Sequence, residues 1–271
     1  MSFKHTAYKA LNRGSTRWLI GLAASAVTTL EGQRASITYD RQTGGWLQRT
    51  SGGVMLMPYP RGMSAEQCSS FTTDVFLHRY SLRPGDVVFD IGAGIGTEAL
   101  PFSRMVGDSG KVVAVEAHPA TFAKLERVCR LNNLRNVECV HAAVMDSNEP
   151  VTISDLDEES YIENKIGGQG VEVPALTIPD LVTKYGVDRI DFLKMNIEGA
   201  EAPALRGARD VLPLVRNAAI GCHDFMADQT GDESYRTKDV VHAMLVDAGF
   251  TVTRRDEDPR PWAADYLFAS R

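Results

Sequence analysis

From Pro84 onward, short β-rich apolar runs alternate with segments of helical length, and this alternation narrows the possible folds more than any other feature. Val87-Val88-Phe89-Asp90-Ile91 is too short for a helix and is bounded by Gly85 and Gly92. Lys111 to Val115, Ile190 to Met195, Val215 to Cys222, Phe250 to Thr253 and Tyr266 to Ala269 continue the series. Thr97 to Val106, Thr121 to Leu131 and Lys238 to Ala248 have helical length and composition; Pro101 falls early in the first, where a missing N–H costs least. Apolar strands alternating with helices are buried on both faces, so the chain is predicted to be a doubly wound α/β domain with a mostly parallel sheet.

The first 80 residues read differently. Helical spacing gives way to a Gly-, Ser- and Thr-rich stretch from Ser36 to Pro60, where Gly44-Gly45 and Ser51-Gly52-Gly53 punctuate short alternating runs. Such punctuation predicts small strands or a hairpin. We therefore expect an N-terminal cap over residues 1–80 and the main domain over 81–271. Met55, Met57, Tyr59 and Met63 have the composition of a lid over a pocket or of ordinary packing, the latter being the commoner use.

Charge excludes one class of function. Residues 1–60 carry seven Lys/Arg against Glu31 and Asp40, net +5, whereas the remainder is net −11. An acidic main body is a poor surface for a phosphate backbone, so nucleic acid is not an expected partner. The four cysteines have no metal-ligand spacing and are too few for a disulfide scaffold, which fits reduced thiols. Lys4, Lys9, Arg13 and Arg17 precede the apolar run Trp18 to Val27, in outline like a signal peptide. The run is shorter than the roughly 20 residues a membrane span needs. We expect a packed or homodimer-forming helix ahead of a membrane-surface one, and a cytoplasmic protein. Asp155 to Gly170 starts like a calcium loop, but Ser160 replaces its turn glycine and Ile166 its bidentate glutamate, so a solvated loop is expected.

Asp90-Ile91-Gly92-Ala93-Gly94-Ile95-Gly96 closes the first strand and opens the first helix. Glycines at alternate positions let the backbone approach a ligand at the carboxyl end of a strand, where open α/β sheets bind cofactors. The dinucleotide pattern is GxGxxG, and here the third glycine comes one residue early. Asp90 would also repel a pyrophosphate but attract a cation. S-adenosylmethionine, with a sulfonium, an ammonium and a ribose but no phosphate, satisfies both points; a nicotinamide dinucleotide satisfies neither. Glu116 ends the second strand 20 residues after Gly96, placed to accept hydrogen bonds from ribose hydroxyls.

These segments, with Pro84-Gly85-Asp86, Glu116-Ala117-His118-Pro119 and above all Asp191-Phe192-Leu193-Lys194-Met195-Asn196-Ile197-Glu198-Gly199-Ala200-Glu201, resemble the FkbM family of S-adenosylmethionine-dependent methyltransferases over residues 80–225. The resemblance implies a class I methyltransferase fold with a seven-stranded sheet. It also implies methyl transfer, usually to a hydroxyl of a sugar, polyketide or lipid-like small molecule. Asp90, Gly92, Ala93, Gly94 and Glu116 would hold the cofactor, with Ala143 at the adenine. The family commonly has Asp where this chain has Asn196, a position that in this fold faces the methyl group. Asn cannot be a base, though it can hydrogen-bond the methionine part or the acceptor hydroxyl, and its loss of charge weakens a Mg²⁺ site built with His223 and Asp224. Glu201 reads as a partner of a helix N-terminus, and Glu198 equally as that or as functional.

His223 follows the run 215–222, at the same rim of the sheet, and is the expected general base for an alcohol acceptor. N-methylation, which needs no strong base, and a non-catalytic cofactor-binding partner subunit are the alternatives.

Overall fold

The computed structural model describes residues 14–154 and 170–271. Its centre is a seven-stranded sheet. In chain order the strands are β4 (Val87–Ile91), β5 (Lys111–Glu116), β6 (Val137–His141), β11 (Ile190–Met195), β12 (Val215–Gly221), β13 (Thr251–Arg254) and β14 (Tyr266–Ser270). They lie side by side as β13-β14-β12-β11-β4-β5-β6. Pairing is parallel from β12 through β6, and β14 alone runs against its neighbours. This is the class I methyltransferase order, with β4 and β11 central and every residue of β11 buried. The strand order switches between β4 and β11, which opens a crevice at their carboxyl ends.

Helices cover both faces. Those that matter for the site are α3 (Ala99–Val106) and α4 (Pro119–Leu131), with α6 (Glu201–Gly207) and α7 (Asp224–Thr230) after β11 and β12; α5 (Ile178–Tyr185) lies against α6. Each of these follows a strand, as right-handed crossover connections require. Phe89, Ile91, Val113, Leu193, Met195 and Ile220 fill one side of the sheet, and Val88, Val112, Phe102 and Phe192 the other.

The glycine punctuation before residue 60 marks a three-stranded antiparallel sheet, β1 (Ser36–Tyr39), β2 (Trp46–Thr50) and β3 (Gly53–Met57). Helix α1 (Arg17–Leu30) packs on it closely: Ser25 Oγ accepts the Ile37 N–H at 2.8 Å and donates to the Gly21 carbonyl at 2.7 Å. Trp18 and Leu22 on the other side of α1 are exposed. Leu47, Leu56 and Met57 share a core with Ala65 and Cys68 of α2 (Ala65–Val75), with Ile95 of the glycine loop, and with Leu100 and Val128 of the helices on the main sheet. Ser64 caps α2 through a reciprocal pair with Gln67, which fixes where the helix starts. Met55 and Met57 are thus packing residues, and Tyr59 is exposed.

The acidic stretch expected as a loop lies, but for Gly170, outside the described residues; β8 (Val151–Ser154) and β9 (Gly170–Val173) on either side of it pair antiparallel, and the two-residue strands β7 (Ala143–Val144) and β10 (Ala175–Leu176) pair parallel. Cys68, Cys129, Cys139 and Cys222 are free thiols. Among the described residues no helix is long and apolar enough to cross a membrane.

Candidate active site

Two cavities open at the carboxyl rim of the sheet and share four wall residues: Gly92, Gly94, Asn196 and Glu198. The smaller is bounded by Glu116 and Thr121 on one side and by Ala142, Ala143 and Ile153 on the other. The larger, about 540 Å³, is walled mainly by Phe71, Phe76, Phe225, Met226, Trp262 and Tyr266.

The glycine loop is shaped by close approach. Gly92 has φ +77°, and a Cβ there would overlap the carbonyl oxygen of Asn196, so no other residue fits. Gly94 has φ +56° with nothing within 4 Å of its Cβ position, because that position looks into the cavities. Ala93 does not line either cavity. Its side chain is wholly buried in the core, and its N–H donates to the Val115 carbonyl at 2.9 Å.

Asp90 is fully buried, paired through Oδ1 with Lys194 Nζ at 2.9 Å, while Nζ also donates to the Gly92 carbonyl at 2.6 Å. Asp90 Oδ2 has no hydrogen-bond partner among the described residues. An orphaned buried carboxylate oxygen is costly unless a ligand completes it. Burial pulls the Lys194 ammonium down, but Asp90 and Glu98 beside it more than compensate and leave it raised.

Glu116 Oε2 accepts the Gly94 N–H at 2.9 Å, and Oε1 the His118 N–H at 2.8 Å. Burial nevertheless pushes this carboxyl up. The two N–H groups fix its orientation, and lone pairs remain for a diol. Glu116, the open Gly94 and the small walls at Ala142 and Ala143 fit the ribose and adenine of S-adenosylmethionine, whereas Asp90 lines neither cavity and stands behind the loop with Lys194.

Beyond the loop, Glu198 stands at φ +51°, a conformation rare for a non-glycine residue. Glu201, the first residue of α6, holds the loop in place: its Oε1 accepts from the N–H groups of Ile197 and Gly199, both at 3.3 Å. His223 lies between the two glutamates, Nε2 at 3.0 Å from Glu198 Oε1 and Nδ1 at 3.1 Å from Glu201 Oε1. Burial disfavours a charged imidazole, but the two carboxylates outweigh it and push the ring up to about 10. With both nitrogens donating, the ring has no lone pair for an alcohol proton. The placement of His223 at the rim follows from its strand; its two carboxylate partners come from the loop and helix that follow β11, a different strand.

Asn196 sits at the junction of the cavities, its Oδ1 accepting from Tyr266 Oη at 2.8 Å. Asp224 is turned away: its Oδ1 accepts the N–H groups of Thr237 and Lys238. Among the described residues no cluster of three or more His, Cys, Asp or Glu is arranged to hold a metal ion. Of the four residues considered for a lid, Met63 alone borders the large cavity. Lys194, Glu98, Tyr266, Phe71 and Trp262 were not singled out from sequence. A lysine inside the apolar run Ile190 to Met195 was the one available signal.

Strand order and site together define an S-adenosylmethionine-dependent methyltransferase. Residues 90–250 match the methyltransferase FkbM domain, more than half of the chain, and the chain belongs to that family. It is 28% identical over 224 residues, 70% of its length and 82% of the relative's, to the 31-O-demethyl-FK506 methyltransferase FkbM of Streptomyces tacrolimicus. It is 27% identical to methyltransferase sdnD of Sordaria araneosa, over 66% of this chain and 77% of that one. A solved structure of methyltransferase FkbM from Methylobacillus flagellatus KT aligns with TM-score 0.47 and 16% identity, covering 75% of this chain and 50% of that chain. S-adenosylmethionine is the methyl donor.

Proposed function

We propose that the protein transfers a methyl group to a hydroxyl oxygen of a small, largely apolar molecule held in the larger cavity. The observation that carries this is the junction of the two cavities at Asn196 and Glu198, which brings a donor on one side within reach of an acceptor on the other. The relative from Streptomyces tacrolimicus, an O-methyltransferase by name, supports the same reaction type.

The bound donor supplies an electrophilic methyl group on a sulfonium. Asp90, the Gly92–Gly94 loop, Glu116 and Ala143 hold it. What remains for the chain is to orient the acceptor oxygen in line and to remove its proton. The Asn196 amide, anchored by Tyr266, donates to the acceptor oxygen and fixes its approach. Glu198 takes the proton. Methylating a neutral hydroxyl produces a protonated ether, which is far more acidic than a carboxylic acid, so a carboxylate is a sufficient sink. His223 is the positioning residue, holding Glu198 through Nε2 while Glu201 holds His223.

Calorimetric titration with S-adenosylhomocysteine and, separately, NAD tests the cofactor; micromolar binding of the first alone is expected. Glu198→Gln tests the base. It should keep that affinity within a few-fold and lose about a hundredfold or more in turnover on a hydroxyl acceptor. Unchanged turnover would remove Glu198 from the role.

A further inference from the structure

The larger cavity holds a polar group that methyl transfer does not use. Glu98, immediately before α3, is 6% exposed, and its side chain borders the cavity beside Thr97 and Lys194. Thr97 Oγ1 donates to its Oε2 at 2.7 Å, and among the described residues no hydrogen bond from another element reaches it. The nearby cation is already committed, since Lys194 Nζ is held by Asp90 and the Gly92 carbonyl. Burial first, and the charge of Asp90 after it, push the Glu98 carboxyl up against the pull of Lys194.

The surroundings are mainly apolar. Phe71 and Trp262 stack at 5.7 Å with 25° between their planes. Their elements are tied together by Asp74, whose Oδ1 pairs with Arg255 at 2.8 Å and Oδ2 with Arg260 at 2.7 Å. The cavity's other basic group, His223, is clamped by Glu198 and Glu201. No lining cation is therefore left to receive an acid, while one lining carboxyl lacks a partner from beyond its own turn. A carboxyl in an apolar wall is costly unless it is hydrogen-bonded, and a ligand can supply the bond.

We propose that Glu98 anchors a second polar group of the methyl acceptor, a hydroxyl or a protonated amine on an otherwise apolar body, and that the cavity discriminates against acidic acceptors. This makes Glu98 a specificity-determining residue. It rests on the reading of the larger cavity as the acceptor site.

The test uses three probes with one skeleton: 2-naphthylmethylamine, 2-naphthalenemethanol and 2-naphthoate. Each is titrated calorimetrically into protein saturated with S-adenosylhomocysteine. The amine should bind more tightly than the alcohol, and the carboxylate about tenfold more weakly or worse than the alcohol. Glu98→Gln should erase the amine's advantage over the alcohol while leaving S-adenosylhomocysteine affinity unchanged. Trp262→Ala should weaken all three probes together, which locates them in the cavity. A carboxylate that binds as tightly as the amine would overturn the proposal, as would a Glu98→Gln protein with the wild-type order. The wild-type order decides the matter even if that variant does not fold. Failure to bind S-adenosylhomocysteine would instead count against the methyl-transfer reading, a separate outcome of the same titrations.

Discussion

Tyr266 Oη donates a 2.8 Å hydrogen bond to Asn196 Oδ1, joining the antiparallel strand β14 to the end of β11 across β12. Gly221 of β12 lies between them, and a Cβ there would overlap Asn196 Oδ1 and come within 2.9–3.0 Å of the Tyr266 ring carbon and hydroxyl. The bond is possible because the intervening strand ends in glycine. It occupies the amide oxygen and leaves the amide NH₂ for whatever sits where the two cavities meet.

Tyr266→Phe should therefore cost turnover more than cofactor binding. Without its donor the Asn196 amide is free to turn, and a net hydrogen bond of this kind is worth about 1 kcal/mol, or five- to tenfold. A kcat reduced by roughly that factor, with S-adenosylhomocysteine affinity within about twofold, is the expected outcome in steady-state kinetics and calorimetry. Equal losses in both would mean that the tyrosine supports the whole site.

The two loop glycines should fail in different ways. Gly92→Ala forces a Cβ into the Asn196 carbonyl, at a positive φ, and should lower stability by about 3 kcal/mol or more. Gly94→Ala meets no protein atom and pays only the cost of left-handed backbone, about 1–2 kcal/mol. Its methyl group instead enters the cavities, on the side proposed for the donor. Thermal melting should separate the first variant from wild type strongly and the second weakly, whereas S-adenosylhomocysteine binding should be lost in both.

The cofactor side of this site was legible in the sequence because it is local: a strand, a turn of glycines and a helix follow one another within about a dozen residues. Glu116 was legible for the same reason, as the end of the next strand. The acceptor side was not. Phe71, Glu98, Met226 and Trp262 come from four distant stretches whose meeting depends on how α2 and the β13–β14 connection fold over the rim. His223 lies between these cases. Its strand set its position, but its chemistry depends on Glu198 and Glu201, 25 and 22 residues away. The spacing of Glu198 and Glu201 gave no sign that a histidine would stand between them. The inward side chain of Ala93 was not legible either, because the motif does not say which loop members face the cavities.

The His223 clamp has a pH signature. Its folded-state pKa, about 10, lies above the ordinary value of about 6.5. A raised pKa stabilises the fold fully below the unfolded value, and the contribution fades as pH rises from about 6.5 toward 10. The stability difference between wild type and His223→Gln, measured by urea denaturation, should shrink across that window. The kcat profile of the wild type should also show no titration near pH 6.5, where a free imidazole base would give a rising limb. Such a limb would restore His223 as the proton acceptor.

Lys194→Met tests whether the buried ion pair is structural, functional or both. Asp90 would be left buried without a counter-ion, a change that typically costs about 3–5 kcal/mol and would lower the melting temperature by roughly 10 °C in a chain of this size. Adding Asp90→Asn removes the stranded charge, so the double variant should recover much of that stability. It should not recover the ligand. If Asp90 Oδ2 serves the cationic end of the donor, the stable double variant binds S-adenosylhomocysteine at least about tenfold more weakly than wild type. Recovery of both stability and affinity would confine Asp90 to holding Lys194, and the glycine loop with Glu116 would carry the cofactor alone.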